Sequence, residues 1–221
     1  MGQSSGEPSV ERIVVGALDA NCYIITAPDG LDALVIDPGA EPERILGRVR
    51  ALGVHVVSII HTHGHFDHIS ATEEVLAGLS APVPVFSHAD DAYLYRREAR
   101  AMGAAFGYAL AEPLLTPDHM LVEGMMIPLG AGGLTVIHTP GHTPGSVSLL
   151  WPERFVISGD TLFRRGIGRT DLPGGDEDAI YESILTRLYP LAPELRVYPG
   201  HGEATTIGDE RQRNPFVQAP D

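Results

Sequence analysis

The sequence contains no lysine, so all 15 of its basic residues are arginines, against 29 aspartates and glutamates. The formal net charge of −14 gives the surface the same sign as a phosphate backbone. Binding to nucleic acid rests largely on cationic side chains that neutralise phosphates. A nucleic acid is therefore not expected as a partner.

Disulfides and hydrophobic export or membrane segments are also absent. Cys22 is the only cysteine, which excludes an internal disulfide and is typical of a reducing compartment. The first residues, "MGQSSGEPSVER", lack the basic and apolar regions of a signal peptide, and no apolar stretch is long enough to cross a bilayer. We predict a cytoplasmic protein that does not contact membranes, and the sequence does not indicate an oligomeric state.

The chain is long enough for one good hydrophobic core and short for two, since 221 residues contain 43% hydrophobic side chains. Residues 1–9 are rich in glycine and serine and are predicted to form a disordered tail. Residues 10–221 are predicted to form a single domain.

Short apolar runs, bounded by glycine, proline or acidic residues, predict strands along most of the chain. These runs are "RIVVGAL", "NCYIIT", "ALVIDPG", "HVVSII", "PVPVF", "LTVIHTPG", "SVSLLW", "RFVISGD" and "LRVYPG". Helical spacing predicts helices after Pro42, after a capping box of Ser70 and Glu73, from Ser87 to Met102, and near 177–188. Mixed strands in two groups with helices interspersed favour layers of α/β type over an all-β sandwich.

Imidazole and carboxylate side chains recur just past the ends of predicted strands, where sites are normally built. They are His63, His65, Asp67, His68, His142, Asp160 and His201. Grouped without a cation, these side chains would be desolvated and would repel one another. Imidazole nitrogen and carboxylate oxygen are the ligands of zinc-like ions, and two such ions form a hydrolytic pair. The sequence therefore predicts a site for two metal ions.

Several nearby residues allow two interpretations. A lone histidine at a strand end is usually a polar surface residue, which holds for His142 or His201 taken alone. His61 points away from His63 if the chain is extended, so it either supports the site from behind or lies at the surface. Asp37 either caps a turn or accepts a hydrogen bond from a ligand imidazole. Thr62 is a further candidate for supporting a ligand.

The segments "HTHGHFDH", "TPGHTPGS", "SGDTLF" and "YPGHG" together resemble the metallo-β-lactamase superfamily and, within it, the glyoxalase II (hydroxyacylglutathione hydrolase) group. The resemblance spans nearly the whole chain and implies a four-layer αβ/βα sandwich. It implies one metal ion on His63, His65 and His142. It places the other on Asp67, His68 and His201, with Asp160 as the bridge. The ions implied are zinc, with iron or manganese as alternatives.

The sequence departs from two-domain glyoxalase II, because only about twenty residues follow His201, and we therefore expect a domain without the C-terminal helical domain. It is more similar to compact, single-domain relatives. The segment "GIGRTD" is shared with persulfide dioxygenases, which hold one iron on the same scaffold, and these enzymes are the main alternative. They tend to read "YPAHDY" where this chain reads "YPGHGE", which favours the two-metal hydrolase.

The hydrolase hypothesis is specific about chemistry. A hydroxide shared by two cations would attack the carbonyl of a small thioester, such as one linked to glutathione, or of a related ester. Asp67 and Asp160 are then the catalytic carboxylates, and no serine or cysteine nucleophile is needed.

Three residues are candidates for substrate binding. Arg165 and Arg169 suit a substrate carboxylate because guanidinium donors form a fork, although Arg169 can instead pair with Asp171. Tyr108 belongs to a segment, residues 90–117, that forms either a lid over the metals or part of the core.

Overall fold

Two six-stranded sheets lie at the centre of the molecule in this computed structural model, which describes residues 7–108 and 115–218. The first sheet has its strands in chain order: β1 (Ser9–Val15), β2 (Ala20–Thr26), β3 (Asp32–Ile36), β4 (His55–Ile60), β5 (Val85–His88) and β6 (His119–Leu121). Neighbours from β1 to β3 are antiparallel, and those from β3 to β6 are parallel. The parallel strands therefore end at one common edge.

The second sheet is built from the following part of the chain. Its strands are β7 (Met126–Leu129), β8 (Gly132–His138), β9 (Val147–Trp151), β10 (Phe155–Gly159), β13 (Arg196–Pro199) and β14 (Thr205–Thr206). The spatial order is β14-β13-β10-β9-β8-β7, and only β10 and β13 pair in parallel. A separate small hairpin pairs β11 (Leu162–Phe163) with β12 (Gly166–Ile167).

The helices are short and connect the strands. They are α1 (Pro42–Leu52), α2 (Phe66–Ile69), α3 (Thr72–Gly78), α4 (Arg97–Ala101), α5 (Glu177–Ser183) and α6 (Ile207–Arg213). Tighter 3-10 turns run over Ala89–Tyr95 and Met102–Phe106, and a wide turn over Ile184–Leu188 extends α5. No helix in the described ranges is long and apolar enough to cross a membrane.

The hydrophobic core has three parts, which define four layers. Residues such as Tyr23, Ile25 and Leu34 face the second sheet, whereas Ile24 and Val35 face α1 and α3. Val156 and Val197 of the second sheet pack against α5 and α6 in the same way. Successive side chains of a strand point to opposite faces, so a central strand covered on both sides is apolar throughout. The expected four-layer αβ/βα sandwich is confirmed.

The start of the chain and the start of α3 differ from expectation. Residues 1–6 lie outside the described residues, and Ser9, expected in the tail, already pairs with Thr26 in β1. Helix α3 begins after Ala71 without a side-chain cap, so the capping box of Ser70 and Glu73 is not formed. The Glu73 carboxylate instead accepts a hydrogen bond from the Leu115 amide at 3.0 Å.

The helix expected from Ser87 to Met102 is divided into two 3-10 turns and α4. The chain is extended at Arg96, which separates the first turn from α4. Two side chains of that first turn are bound to other parts of the molecule. Asp91 accepts hydrogen bonds from two distant loops, and the Tyr95 hydroxyl contacts His61 at 2.8 Å. These long-range bonds hold the segment in a path that regular helical spacing would not allow.

Candidate metal centre

The predicted ligands converge at one edge of the sandwich, past the ends of strands from both sheets. The loop with the first four ligands follows β4, Asp160 follows β10, and His201 follows β13. His142 lies in the connection between β8 and β9. The His201 loop is fixed to the first sheet, since the Asn21 amide donates to the Gly200 carbonyl at 2.7 Å. The two sheets thus bring residues distant in the chain to one place.

One group of ligand atoms consists of three imidazoles. His63, His65 and His142 each present a nitrogen within 4.8 Å of the other two. The closest pair is His65 Nδ1 and His142 Nε2, at 2.9 Å. His142 Nδ1 donates to the Arg169 carbonyl at 2.8 Å, so its Nε2 carries a lone pair directed at His65. With the proton of His65 on its Nε2, the two facing nitrogens are suited to share a cation.

A second group combines two imidazoles with a carboxylate. Asp67 Oδ2 lies 3.3 Å from His201 Nε2 and 3.7 Å from His68 Nε2. The two imidazole nitrogens are 3.3 Å apart. The side chains of Asp67 and His68 are buried, and about a quarter of the His201 side chain is exposed. This half of the site therefore faces solvent more than the first.

Asp160 lies between the two groups. Its Oδ2 is 3.6 Å from His142 Nε2 and 3.5 Å from His201 Nε2. Its Oδ1 is 3.5 Å from His68 Nε2. The carboxylate thus reaches ligand atoms of both groups, which is the geometry that a bridging ligand requires.

Asp37 and Thr62 orient the ligands from behind. The carboxylate of Asp37 accepts from the Thr62 amide at 2.7 Å, from the Thr62 hydroxyl at 2.6 Å and from His68 Nδ1 at 3.1 Å. The Thr62 oxygen in turn lies 3.2 Å from His63 Nδ1. These bonds place protons on Nδ1 of His63 and His68 and direct both Nε2 atoms toward the site, where they can bind a cation. Of the two interpretations of Asp37, the structure supports hydrogen bonding to a ligand.

Unsatisfied atoms provide a direct test of whether a cation fits. Within the described residues, His63 Nε2 and Asp160 Oδ1 are buried and have no hydrogen-bond partner. A buried acceptor without a partner costs about 1 to 3 kcal/mol. His63 belongs to the first group and Asp160 lies between the two groups, and both atoms are good ligands for zinc-like ions. The residues therefore fit a pair of divalent cations.

The electrostatics differ between the two groups. Burial and the neighbouring His142 lower the pKa of His65 to about 4, and burial lowers that of His63 well below its usual range. Burial alone would also lower the pKa of His68, but Asp160, Asp67 and Asp37 together raise it to about 10. His63 and His65 are thus neutral and ready to bind a cation, whereas His68 of the second group holds a proton in the metal-free protein.

The two arginines expected to bind substrate are both paired within the chain. Arg165 donates to Glu210 Oε1 at 2.9 Å and to Asp209 Oδ2 at 2.8 Å, which ties the β11–β12 hairpin to α6. The exposed Arg169 forms a bidentate pair with Asp171, with both bonds at 2.7 Å. The Arg169–Asp171 pair is the alternative that the sequence left open, and the Arg169 carbonyl also orients His142.

Tyr108 is buried beside the ligand loop. Its ring packs against Phe66 of α2 at a centroid distance of 5.1 Å, one residue from Asp67. It borders a cavity of about 340 Å³ that Gly16, Glu41 and Ser70 also line. Of the segment considered as a lid, residues 109–114 lie outside the described residues, whereas Tyr95 is buried and belongs to the core.

His61 is wholly buried and was expected either behind the site or at the surface. Its ring nitrogens lie 2.8 Å from the Tyr95 hydroxyl and 2.9 Å from the Thr72 hydroxyl. The structure therefore places His61 behind the ligand loop and excludes the surface interpretation.

Sequence reasoning missed Asp91, whose buried carboxylate contacts two ligand loops, and Gly200, whose lack of a side chain leaves room for Asp160. Two successive aspartates at 90 and 91 carry no signal that separates the exposed residue from the buried one.

A further group, His88, Asp90 and His138, also presents ligand atoms within 4.8 Å of one another. The two imidazoles are stacked at 4.3 Å with only 10° between their planes. Lone pairs lie in the ring planes, so those of two parallel rings do not converge on one point. His138 Nε2 also donates to the Pro144 carbonyl at 2.9 Å. The candidate metal centre is therefore the seven-residue group at the strand ends.

Comparison with known proteins agrees with this geometry. The profile of the metallo-β-lactamase superfamily matches residues 15–201. Hydroxyacylglutathione hydrolase GloC of Haemophilus influenzae is 34% identical over 212 residues, covering 96% of this chain and 99% of that protein.

Two solved structures are similar over nearly their full length. The BLEG-1 B3 metallo-beta-lactamase has a TM-score of 0.84 at 34% identity, covering 95% of this chain and 99% of that one. TTHA1623, in a di-iron-bound form, has a TM-score of 0.83 at 41% identity, covering 94% and 100%. Fold, ligand arrangement and relatives agree: the chain belongs to the metallo-β-lactamase superfamily and is a metal-dependent hydrolase.

Proposed function

We propose that this protein is a dinuclear hydrolase that cleaves a small thioester of the S-2-hydroxyacylglutathione type. The observation that carries the proposal is the position of Asp160, whose two oxygens lie within 3.6 Å of imidazoles of both ligand groups. A carboxylate in this position suits two ions better than one. The similarity to GloC, a hydroxyacylglutathione hydrolase, supports the substrate class.

The chain's own residues would hold and orient the reacting groups. His63, His65 and His142 would bind one ion and Asp67, His68 and His201 the other, with Asp160 between them. Two divalent ions at this site would lower the pKa of water and polarise an acyl carbonyl. The contacts of Asp37 and Thr62 fix the ring orientations before substrate arrives, so little reorganisation is needed during the reaction.

Asp67 is suited to orient the attacking water through a hydrogen bond, not to take up its proton. His68 and His201 lower its pKa well below the usual range despite its burial, so it stays ionised. An ionised oxygen can accept a hydrogen bond from water on the open side of the site, where His201 is partly exposed.

Cys22 does not serve as a nucleophile. Its thiol is completely buried, and burial together with Asp37 raises its pKa well above the usual range. The thiolate, which is the reactive form, is thus absent at neutral pH.

The test combines metal analysis of the purified protein with assays of S-lactoylglutathione, a β-lactam and a simple thioester. We expect about two ions per chain and a preference for the glutathione thioester. In Asp67→Ala we expect loss of one ion and a rate lower by orders of magnitude, because only the second group contains Asp67. A fully active Asp67→Ala variant, or a wild-type protein that binds a single ion, would contradict the dinuclear proposal.

The second candidate is a mononuclear iron persulfide dioxygenase, which the segment "GIGRTD" favours. In that case one iron on motif histidines would suffice, and the other ligand residues would only organise water. Oxygen consumption with glutathione persulfide, at one iron per chain and without thioester hydrolysis, would establish this function. The similarity to TTHA1623, solved in a di-iron-bound form, supports the dinuclear hydrolase over this second candidate.

A further inference from the structure

A buried carboxylate joins the two loops that supply the first ligand group. Asp91 has no exposed surface and lies in the 3-10 turn Ala89–Tyr95. One of its oxygens accepts from the Gly64 amide at 2.9 Å and from the Thr143 hydroxyl at 2.8 Å. The other accepts from the Gly145 amide at 2.8 Å. Gly64 lies between His63 and His65, and Thr143 directly follows His142.

We propose that Asp91 is a positioning residue that sets the distance between these two loops and thereby the affinity of the first group for its ion. This inference rests on the proposed function, since it assumes that the first group holds a metal. All three ligands of that group lie in the two loops that Asp91 joins. Of the second group, Asp67 and His68 lie in α2 and His201 follows β13, so the effect should be selective.

The close fit around Asp91 supports this role. A Cβ atom on Gly145 would lie 2.6 Å from the Asp91 Cγ, and one on Gly64 would lie 2.8 Å from the Leu94 Cβ. Both loops therefore approach the 3-10 turn as closely as glycine allows. The loops share a further backbone bond, from the Val147 amide to the Thr62 carbonyl at 2.8 Å. That bond fixes the strand ends, whereas Asp91 fixes the loop segments that carry the imidazoles.

Substitution by asparagine isolates the charge and the acceptor geometry. Two oxygens of Asp91 receive three donors, and an amide at the same place would turn an NH₂ group toward at least one N–H or O–H donor. The buried donor would lose its partner, and the loop would shift to avoid the contact. The neighbouring Asp90 is a matched control because its side chain is 58% exposed.

The experiment measures binding of Zn²⁺ and Co²⁺ in competition with a chelator for the wild type, Asp91→Asn and Asp90→Asn. Partners that support metal ligands typically contribute about 10- to 100-fold in affinity. We expect Asp91→Asn to lower the affinity for one of the two ions by such a factor and to change the absorption spectrum of bound Co²⁺. Asp90→Asn should match the wild type.

His65→Ala identifies which ion is affected. Because this change already removes a ligand of the first group, adding Asp91→Asn should not lower the affinity for the ion that still binds to the second group. Circular dichroism confirms folding of each variant. If Asp91→Asn does not fold, Thr143→Val removes one of the three donors and Thr143→Ser restores the hydroxyl, so the pair should show reduced and near-normal affinity for the first ion.

The inference is wrong if folded Asp91→Asn, or Thr143→Val in its place, binds both ions with wild-type affinity. It is also wrong if either substitution lowers the affinity for the ion that still binds in the His65→Ala background. A wild-type protein that binds no pair of ions would instead refute the proposed function, so the two failures are distinguishable.

Discussion

Gly200 is where a single methyl group should disrupt the metal centre without removing any ligand. It follows β13 and directly precedes His201. A Cβ atom built there would lie 2.0 Å from Asp160 Oδ1 and 2.9 Å from His68 Cε1. Ordinary contact begins at 3.4 Å, so the carboxylate oxygen would have to move by about 1.4 Å. Ligand distances in metal sites vary by only about 0.2 Å, so Asp160 could no longer bridge the two groups.

The backbone of Gly200 cannot easily retreat instead. Its amide donates to the Gly159 carbonyl and its own carbonyl accepts from the Asn21 amide, each at 2.7 Å. We therefore expect Gly200→Ala to lose at least one ion and to reduce the hydrolysis rate by roughly 100-fold or more, since a displacement of about 1 Å in a catalytic site has this effect. Overpacking should also lower the free energy of unfolding by about 1 to 3 kcal/mol.

The assay compares metal content, thioester hydrolysis and urea unfolding for Gly200→Ala and Gly202→Ala. The control lies two residues further along, and its added Cβ would meet no atom within 4 Å. Because Gly202 has a φ of +75°, the control should lose about 1 kcal/mol of stability but keep both ions and its rate. If Gly200→Ala keeps both ions and a rate within about threefold of the wild type, the close approach of Gly200 to Asp160 does not determine the site.

Three further predictions concern the hydrogen bonds of Asp37 to the ligand residues, the role of the Cys22 thiol and the protonation of His68. Asp37→Ala leaves three buried donors without their acceptor. It should therefore lower the free energy of unfolding in urea by several kcal/mol and weaken metal binding about 10- to 100-fold. Asp32→Ala, at the opposite end of β3, is the control and should change neither quantity. Cys22→Ala should keep its metal content and full activity, and an inactive variant with both ions would show that the thiol participates. Because the pKa of His68 is raised from its ordinary 6.5 to about 10, its protonated form stabilises the metal-free protein fully below pH 6.5, and that stabilisation is lost as the pH rises through 10. Metal binding at pH 8 should therefore release about one proton from His68 and tighten as the pH rises, which calorimetry in buffers of different ionisation enthalpy measures; no release would contradict this.

The convergence of the candidate metal ligands could be predicted from the sequence because each follows a strong strand signal, and the parallel strands of one sheet end at the same edge. Asp37 could be predicted as a candidate supporting residue because it also directly follows a strong strand signal. Asp91 was not, because its partners lie 27 and 54 residues away and its own segment has helical spacing. Propensity describes neighbours in the chain, whereas these bonds are formed only by the complete fold.

The contacts of Arg165 likewise could not be predicted from the sequence. The loop after Asp160 suggested a role in substrate binding, but the carboxylates of Asp209 and Glu210, which bind it, belong to a helix 44 and 45 residues further along. No local feature of "FRRGIGR" indicates that pairing. The short strands β6, β7, β11, β12 and β14 were missed because runs of two to four residues carry no clear period.

The division of the sheets between the two halves of the chain has a consequence for the order of events during synthesis. The first sheet is complete at Leu121, with four ligands already in place, and the second begins at Met126. Translation proceeds from the N-terminus, so the early half can fold while the later half is still being made. Neither of the two candidate ligand groups is complete until His142 and then His201 have left the ribosome. A chain that ends before His201 therefore folds its first sheet without being able to complete the candidate metal centre.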